Sequence, residues 1–577
     1  MNGAVSAVVT YVALAWGLIV ETTGGFDLSL GWFRFSSHSP RNPFLIALIS
    51  LAVSWAWRDP TQRGSTWFAA RERGWASATA AVVAVALVFI GLTKGAHVAG
   101  AADSYGYVSQ AHLWATGNLR PAAPGYELLP AGVSSDALVP LGYRFASDRA
   151  ALVPVYAPGL PLQMALFEWL GGPSAVFYVM PLLAGLAVWG TYALGARAGG
   201  RRVGAVAALL LAASPTLLFQ LTHAPMSDLP AAAWWTVALA LLVRPSRAAA
   251  LLCGIAAGAA ILTRPNLVPL AIIPGASLLW SALRSSDTGG RAWQRLALFA
   301  AGSIPACVAI GVLNAYWYGS PFLSGYGDLT GTMYHWGHFR LNAQRYAVWI
   351  LETQGPTVAL AALAPAVFLW ARGNDDAYVA QRRLVVAVSA LFVVTVWASY
   401  VFYMPFEAWW TLRFLLPAFP ALCVLASAGL FGAAAWVPTA LRAQVVTLVL
   451  AVAIGFSLEV TRTYHALESV AEWRFATMGR SLARSVPPQS VVLASLHSGS
   501  ARFYAERLTM RWDFIDPRQL DSAVTVLQER GYPTFVLVDD EEAEAFRTRF
   551  AGVSRHAALN WEPQLTVPGA ALYLLRP

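Results

Sequence analysis

The sequence predicts a polytopic α-helical membrane protein of about thirteen transmembrane helices with a small C-terminal α/β domain. Three observations predict it. Hydrophobic residues make up 57% of the 577 residues and charged residues only 12%. Apolar runs of spanning length recur between residues 4 and 460. Beyond residue 460 charges become frequent, and short strand-like apolar runs alternate with helical ones.

The first observation excludes a water-soluble chain. A soluble domain carries roughly 25% charge, and with half that, a chain of this size cannot solvate its surface. A bilayer resolves the difficulty, because helices satisfy their own backbone polar groups and apolar side chains face lipid. The mean hydropathy of +0.54 agrees. The net charge of +9 does not describe a nucleic-acid-binding face. Lys94 is the only lysine, and the arginines gather in short loops between apolar runs, which is how topology is set. Cys253, Cys307 and Cys423 lie in apolar runs without metal-ligand spacing and read as small packed hydrophobes.

A span needs ~20 mostly apolar residues. Candidates run over 4–20, 43–57, 76–93, 174–196, 203–221, 228–243, 248–263, 266–283, 296–314, 346–371, 384–403, 412–432 and 443–460. The run 4–20 has no basic start and no small-residue cleavage site, so it reads as the first span, not a signal peptide. Residues 158–171 read either as a fourteenth span or as a helix lying on the membrane. With the N-terminus in the cytoplasm, every short Arg-rich loop falls inside: the arginines at 58–73, 197–202, 244–247, 284–295, 372–383 and 442. The outside then receives the loops 94–173 and 315–345, several short turns and everything after residue 460. The predicted organisation is a membrane domain over 1–460 and a soluble extracytoplasmic domain over 461–577.

In the soluble domain, Val491–Ala494, Thr534–Val538 and Ala571–Leu574 read as buried strands, and 499–507, 517–530 and 540–550 as helices. That alternation predicts a mainly parallel sheet. No Gly-rich nucleotide fingerprint occurs there, so no nucleotide is assigned. The domain reads as a structural lid or an acceptor-facing cap.

Candidate chemistry collects at the outer ends of spans. Asp103 opens the sequence Asp103-Ser104-Tyr105-Gly106-Tyr107 just after a span. It reads both as a general base in apolar surroundings and as a helix N-cap. Asp228 starts another span from the same side and carries the same two readings. Arg264 and Arg413 sit at outer turns, against the positive-inside trend. A headgroup-level phosphate would explain them, since guanidinium binds phosphate bidentately; so would snorkelling or a carboxylate partner such as Glu407. Tyr105 is grouped with these as a donor contact. The loop 315–345 is rich in rings and glycines, and Tyr318, Tyr326, His335 and Trp336 are candidates for stacking on a sugar, beside their ordinary reading as an interfacial aromatic belt. His335 and His338 have metal-ligand spacing but no third ligand, so no metal is assigned.

Together these segments resemble the GT-C superfamily of lipid-phosphate-sugar glycosyltransferases, and within it bacterial enzymes similar to protein O-mannosyltransferases and aminoarabinose transferases. The matching pieces are Asp103, Pro154–Gly159, Asp228, Leu262–Asn266, Tyr318–Phe322 and Arg413–Pro417, in family order and on one predicted side. The resemblance implies an inverting transfer from a polyprenyl-phosphate-linked sugar to an extracytoplasmic acceptor, with Asp103 as base and arginines on the departing phosphate. It implies no certain cofactor, and places the protein in a bacterial plasma (inner) membrane. Ser104 stands where protein O-mannosyltransferases carry Glu, and Trp409-Trp410 continues into Thr411-Leu412, unlike the Trp-Trp-Asp-Tyr-Gly of oligosaccharyltransferases. Two extra spans precede the usual first loop. The principal alternative is a transporter or flippase, which should show mid-membrane charges or repeated broken helices.

Overall fold

The computed structural model describes residues 66–285, 290–327, 333–366 and 376–576, the strands 26–30 and 33–37, and isolated helical positions at 9, 13, 16, 17, 20, 43, 46 and 47. Contacts divide the chain into two compact units, Met1–Ala78 and Thr79–Pro577. In the first, β1 (Phe26–Leu30) and β2 (Phe33–Ser37) form an antiparallel hairpin. The expected spans 4–20 and 43–57 lie outside the continuously described residues.

Eleven spans are expected from residue 76 onward, and helix occurs at all of them. These are α1 (Thr66–Lys94), α4 (Val179–Gly199), the bent pair α5 (Arg201–Ala212) and α6 (Pro215–Thr222), α7 (Asp228–Leu242), α8 (Arg247–Thr263), α9 (Ile272–Leu283), α10 (Arg291–Tyr318), α11 (Phe339–Ala362), α12 (Asp376–Val401), α13 (Phe419–Ala433) and α14 (Arg442–Thr463). Among the described residues, seven helices are long and apolar enough to cross a membrane, eight if the bent pair counts as one. Two more, α7 and α8, are apolar but shorter. The chain is therefore a multi-pass membrane protein. The helix α11 is interrupted at Gln354, just ahead of Pro356, as expected where proline removes a backbone donor.

Between α1 and α4 lie α2 (Asp103–Thr116), the antiparallel hairpin of β3 (Tyr143–Phe145) and β4 (Leu152–Pro154), and α3 (Gly159–Gly171). At 13 residues, α3 is about 20 Å long, too short for a ~30 Å hydrocarbon core. That removes it as a span. It packs against α2.

The Arg-rich helix ends meet one another. Arg382 Nε donates to the Ala198 carbonyl at 3.0 Å, and Arg295 Nη2 to the Arg244 carbonyl at 2.9 Å. Asp228 lies at the other end of α7.

Residues 473–576 build a five-stranded sheet of order β6-β5-β7-β9-β8. Its elements are α15 (Trp473–Ser485), β5 (Val491–Leu493), α16 (Ser498–Ala505), β6 (Leu508–Met510), α17 (Leu520–Glu529), β7 (Thr534–Asp539), α18 (Ala543–Phe550), β8 (Leu565–Val567) and β9 (Ala570–Leu574). The sheet is mixed, not mainly parallel: β6, β5 and β7 run parallel, and β8 and β9 run antiparallel at one edge. The β8–β9 connection is a tight turn with Gly569 at φ 90°, a conformation glycine adopts without penalty. The three-residue strands β6 and β8 are too short to show an alternating pattern in sequence.

One of the sheet's two cores draws on residues 478–572 alone, and the other is shared with the long loop. Val133, Ala137 and Leu138 from the long loop are buried in one cluster with Val491, Trp512, Val536 and Phe546. Arg502 binds the Leu138 carbonyl and Leu141 N donates to Ser498 Oγ. Gly499 sits directly on Tyr105, whose ring occupies the space a Cβ would need. The sheet therefore rests on the loop that carries Asp103.

Candidate active site

Asp103 begins α2 after a tight turn. Ala101 has φ 48°, an unfavourable left-handed conformation for alanine. The turn is held by Ser104 Oγ on the Val98 carbonyl at 2.5 Å, by Ala99 N on Tyr504 OH at 2.8 Å, and by Phe475 packed against Gly100. Ser104 is buried, so a glutamate there would have to leave this packing. No side-chain capping bond is made at the start of α2.

Four charged residues meet next. Both terminal nitrogens of Arg413 lie 3.1 Å from Asp103 Oδ2. Arg413 Nη1 lies 3.9 Å from Asp228 Oδ2, and Arg264 bonds Asp228 Oδ1. Arg413 also touches the Met226 sulfur. Phe414 underlies both guanidiniums, at 5.0 Å from Arg413 and 5.4 Å from Arg264, and Tyr400 lies 5.5 Å from Arg264. Such faces stabilise a partly desolvated cation. The acids differ in access: the Asp228 side chain is 3% exposed and that of Asp103 31%. Burying Asp228 requires the compensating arginines; Asp103 keeps an open side.

Local sequence explains the convergence. The 3-10 stretch Trp409–Ala418 carries Arg413, and Arg264 ends α8 immediately before Pro265, which forces a break. Asn266 then ties in two phenols, donating to Tyr400 OH at 2.9 Å and Tyr334 OH at 3.3 Å. Gly159 lies against the Thr263 backbone and Gly325 against Val155, each so close that a Cβ would overlap main-chain atoms. Three pieces far apart in the chain are thus docked backbone to backbone.

Tyr107 and Tyr156 pack at a tilt, 4.8 Å apart, beside Asp103, and Tyr107 OH donates to Ser227 Oγ at 2.9 Å. Burial, followed by the Asp103 charge, raises both phenols: Tyr107 to about 12 and Tyr156 well above its ordinary value. Both stay protonated donors at neutral pH. Tyr326 packs edge-on to Tyr156 at 6.0 Å and is half-exposed.

The structure thus brings Asp103, Asp228, Arg264 and Arg413 together, with Tyr326 at their edge. Other candidates lie elsewhere. Tyr105 is buried against Tyr143 and Gly499, on the α2 face that holds the C-terminal sheet and turned from Asp103 by helix periodicity. Tyr318 is buried with its hydroxyl on the Pro154 carbonyl at 2.5 Å and Arg144 over its ring; it braces the hairpin and presents no free face to a sugar. His335 caps a short turn through Gly337 N, and Trp336 is 80% exposed against Phe402. Neither contacts the charged cluster. Glu407 pairs with Arg345, not Arg413. Among the described residues, no group of three His, Cys, Asp or Glu stands close enough to hold a metal ion.

Sequence reasoning passed over Tyr107, Tyr156, Met226, Asn266, Tyr400 and Phe414 as site residues. Five of them stand within or beside motifs already singled out; Tyr400 looks like any aromatic at the end of a span.

No family model and no curated protein matches this chain. Solved structures do. ArnT from Cupriavidus metallidurans bound to undecaprenyl phosphate aligns at TM-score 0.54 and 15% identity, covering 86% of this chain and 97% of that one. The Archaeoglobus fulgidus oligosaccharyltransferase in its apo form aligns at TM-score 0.50 and 11% identity, over 83% of this chain and 71% of that one. AglB from the same organism, in complex with an inhibitory peptide and a dolichol-phosphate, aligns at 0.50 and 10%, over 83% and 70%. The likeness is one of fold.

Proposed function

We propose that this chain, whose fold is that of the GT-C membrane glycosyltransferases, moves a sugar from a polyprenyl-phosphate donor to an acceptor hydroxyl with inversion at the anomeric carbon. The observation that carries the proposal is Arg413, placed between an open carboxylate, Asp103, and a buried one, Asp228, with Arg264 on the far side of Asp228.

The chemistry follows from that layout. Asp103 is the base. It takes the proton of the acceptor hydroxyl as that oxygen forms its bond to the anomeric carbon. The bond from that carbon to the phosphate oxygen breaks on the opposite face, and its electron pair leaves with the polyprenyl phosphate. Arg413 and Arg264 receive the growing charge on the phosphate. Asp228 positions them: it is enclosed and spent on two guanidiniums, so its role is to aim the arginines. In the resting arrangement Arg413 is bonded to Asp103, and an arriving phosphate competes for that guanidinium, freeing the carboxylate only when a donor is present. Tyr107 and Tyr156 remain protonated and cover one side of the base. The carrier's tail stays in hydrocarbon while phosphate and sugar reach the cluster at the helix ends. By the arginine distribution this end faces outward, away from cytoplasmic nucleotide sugars.

The test supplies purified protein in nanodiscs with a polyprenyl-phosphate sugar or a nucleotide sugar and follows transfer to a cell-envelope extract. Transfer from the lipid-linked donor alone is expected. Transfer from the nucleotide sugar without a lipid intermediate would overturn the reading, and translocation without transfer would favour a flippase.

A further inference from the structure

A cavity lies outside the charged cluster, where the long loop meets the C-terminal sheet. Its volume is about 370 Å³, within the usual size of small-molecule sites. Three arginines line it, Arg144, Arg149 and Arg511, against one lining carboxylate, Asp136. Arg149 pairs with Asp136 at 2.9 Å, and Arg511 with Asp513 through Nε at 3.0 Å. Arg144 makes no ion pair among the described residues; its Nη1 donates to the carbonyls of Gly325 at 3.1 Å and Ser324 at 3.4 Å. Among the described residues, one positive charge is therefore left without a partner acid. Two ring faces accompany it: Arg149 lies 4.4 Å from the Phe145 ring, and Arg511 4.4 Å from that of Phe514, which is 42% exposed.

We infer that this cavity is the subsite for an anionic part of the acceptor, an oxyanion-bearing saccharide. The inference rests on the reading of the chain as a sugar transferase and adds the chemical class of what receives the sugar. Guanidinium forks match carboxylate and phosphate oxygens, and the partly exposed Phe514 ring, with Arg511 over it, offers a sugar an apolar contact. Placement connects the cavity to the chemistry. Arg144 pairs with Val153 across the hairpin, three residues before Tyr156 beside the charged cluster. The carbonyls it holds belong to the turn bearing Tyr326, at the edge of Asp103. A glycan seated by its anion here extends toward the base along one hairpin.

Binding is measured directly, without turnover, on the full-length protein in nanodiscs of zwitterionic lipid. The probes are a fluorescent oligogalacturonate of about six residues and a neutral oligosaccharide of equal length, with inorganic phosphate as competitor. The acidic probe should bind about tenfold or more tighter than the neutral one, and Arg144→Gln and Arg511→Gln should each remove most of that difference. Arg149 is 53% exposed, so Arg149→Gln keeps the fold if either other variant loses monodispersity, and it should weaken the acidic probe in the same direction. Asp103→Asn should bind it as wild type does. Equal affinity for both probes, or folded variants that bind the acidic probe unchanged, overturns the inference. So does inorganic phosphate competing as well as the saccharide, which would make this a small-anion site. Lipid-linked transfer that persists while the acidic probe fails to bind would sink this inference and leave the proposed function standing.

Discussion

Arg413 holds Asp103 by a single carboxylate oxygen, with Nη1 and Nη2 both at 3.1 Å from Oδ2 across 310 residues of sequence. This one-oxygen grip differs from the enclosed pairing of Asp228, and the two acids should fail differently when neutralised. Asp103→Asn should lower transfer by about 10²–10⁴ while elution profile and thermal midpoint stay close to wild type. Near-normal turnover would remove Asp103 as the base.

Asp228→Asn should cost stability as well as activity. It leaves two poorly exposed guanidiniums facing each other without their shared anion, and breaking a buried pair costs about 3–5 kcal/mol. A thermal midpoint unchanged from wild type would show that Asp228 does not hold the arginines.

Arg413→Lys keeps the charge and loses the planar fork that closes on Asp103 Oδ2 and rests on Phe414. We expect at least about tenfold lower transfer, with a larger effect on the Michaelis constant for the lipid donor than a Lys substitution at exposed Arg462 produces. Equal behaviour of the two variants would exclude a special role for this guanidinium.

Glu542 provides a pH test. Its side chain is buried, Oε1 accepts Leu496 N at 2.9 Å, and Oε2 has no partner among the described residues. Burial pushes its carboxyl from 4.5 up to about 7. The folded protein thus holds a proton that the unfolded chain releases near 4.5, so the stability that Glu542 contributes is fully present below that pH, declines as pH rises toward 7, then levels. The loss is at most about 3 kcal/mol. Glu542→Gln mimics the protonated form. It should raise the thermal midpoint at pH 8 and change little at pH 4.5. The same shift at both values would contradict the assignment.

The proposed orientation is tested at Glu541, whose side chain is 73% exposed. A cysteine there should react with an impermeant thiol reagent on intact cells. Labelling only after lysis would place the C-terminal sheet, and the charged cluster beside it, on the cytoplasmic side.

The helical membrane architecture was legible from sequence because it is a matter of local composition. Each of the runs from 76–93 to 443–460 announces itself over about 20 residues, and the helix interior satisfies its own polar groups wherever the run sits. Asp103, Asp228, Arg264 and Arg413 were legible for a related reason: a charge at the apolar end of a span stands out. What no local pattern contains is the geometry between them. The approach of Gly159 to Thr263 and of Gly325 to Val155 decides that these ends share one cluster, and it depends on contacts between segments more than a hundred residues apart. Tertiary packing also decides access, separating the enclosed Asp228 from the open Asp103. It turns Tyr105 toward Gly499 and spends the Tyr318 hydroxyl on Pro154, although both tyrosines look in sequence like free rings in an outer loop. The mixed sheet has the same origin: strands of three residues acquire direction only from the neighbours with which they bond.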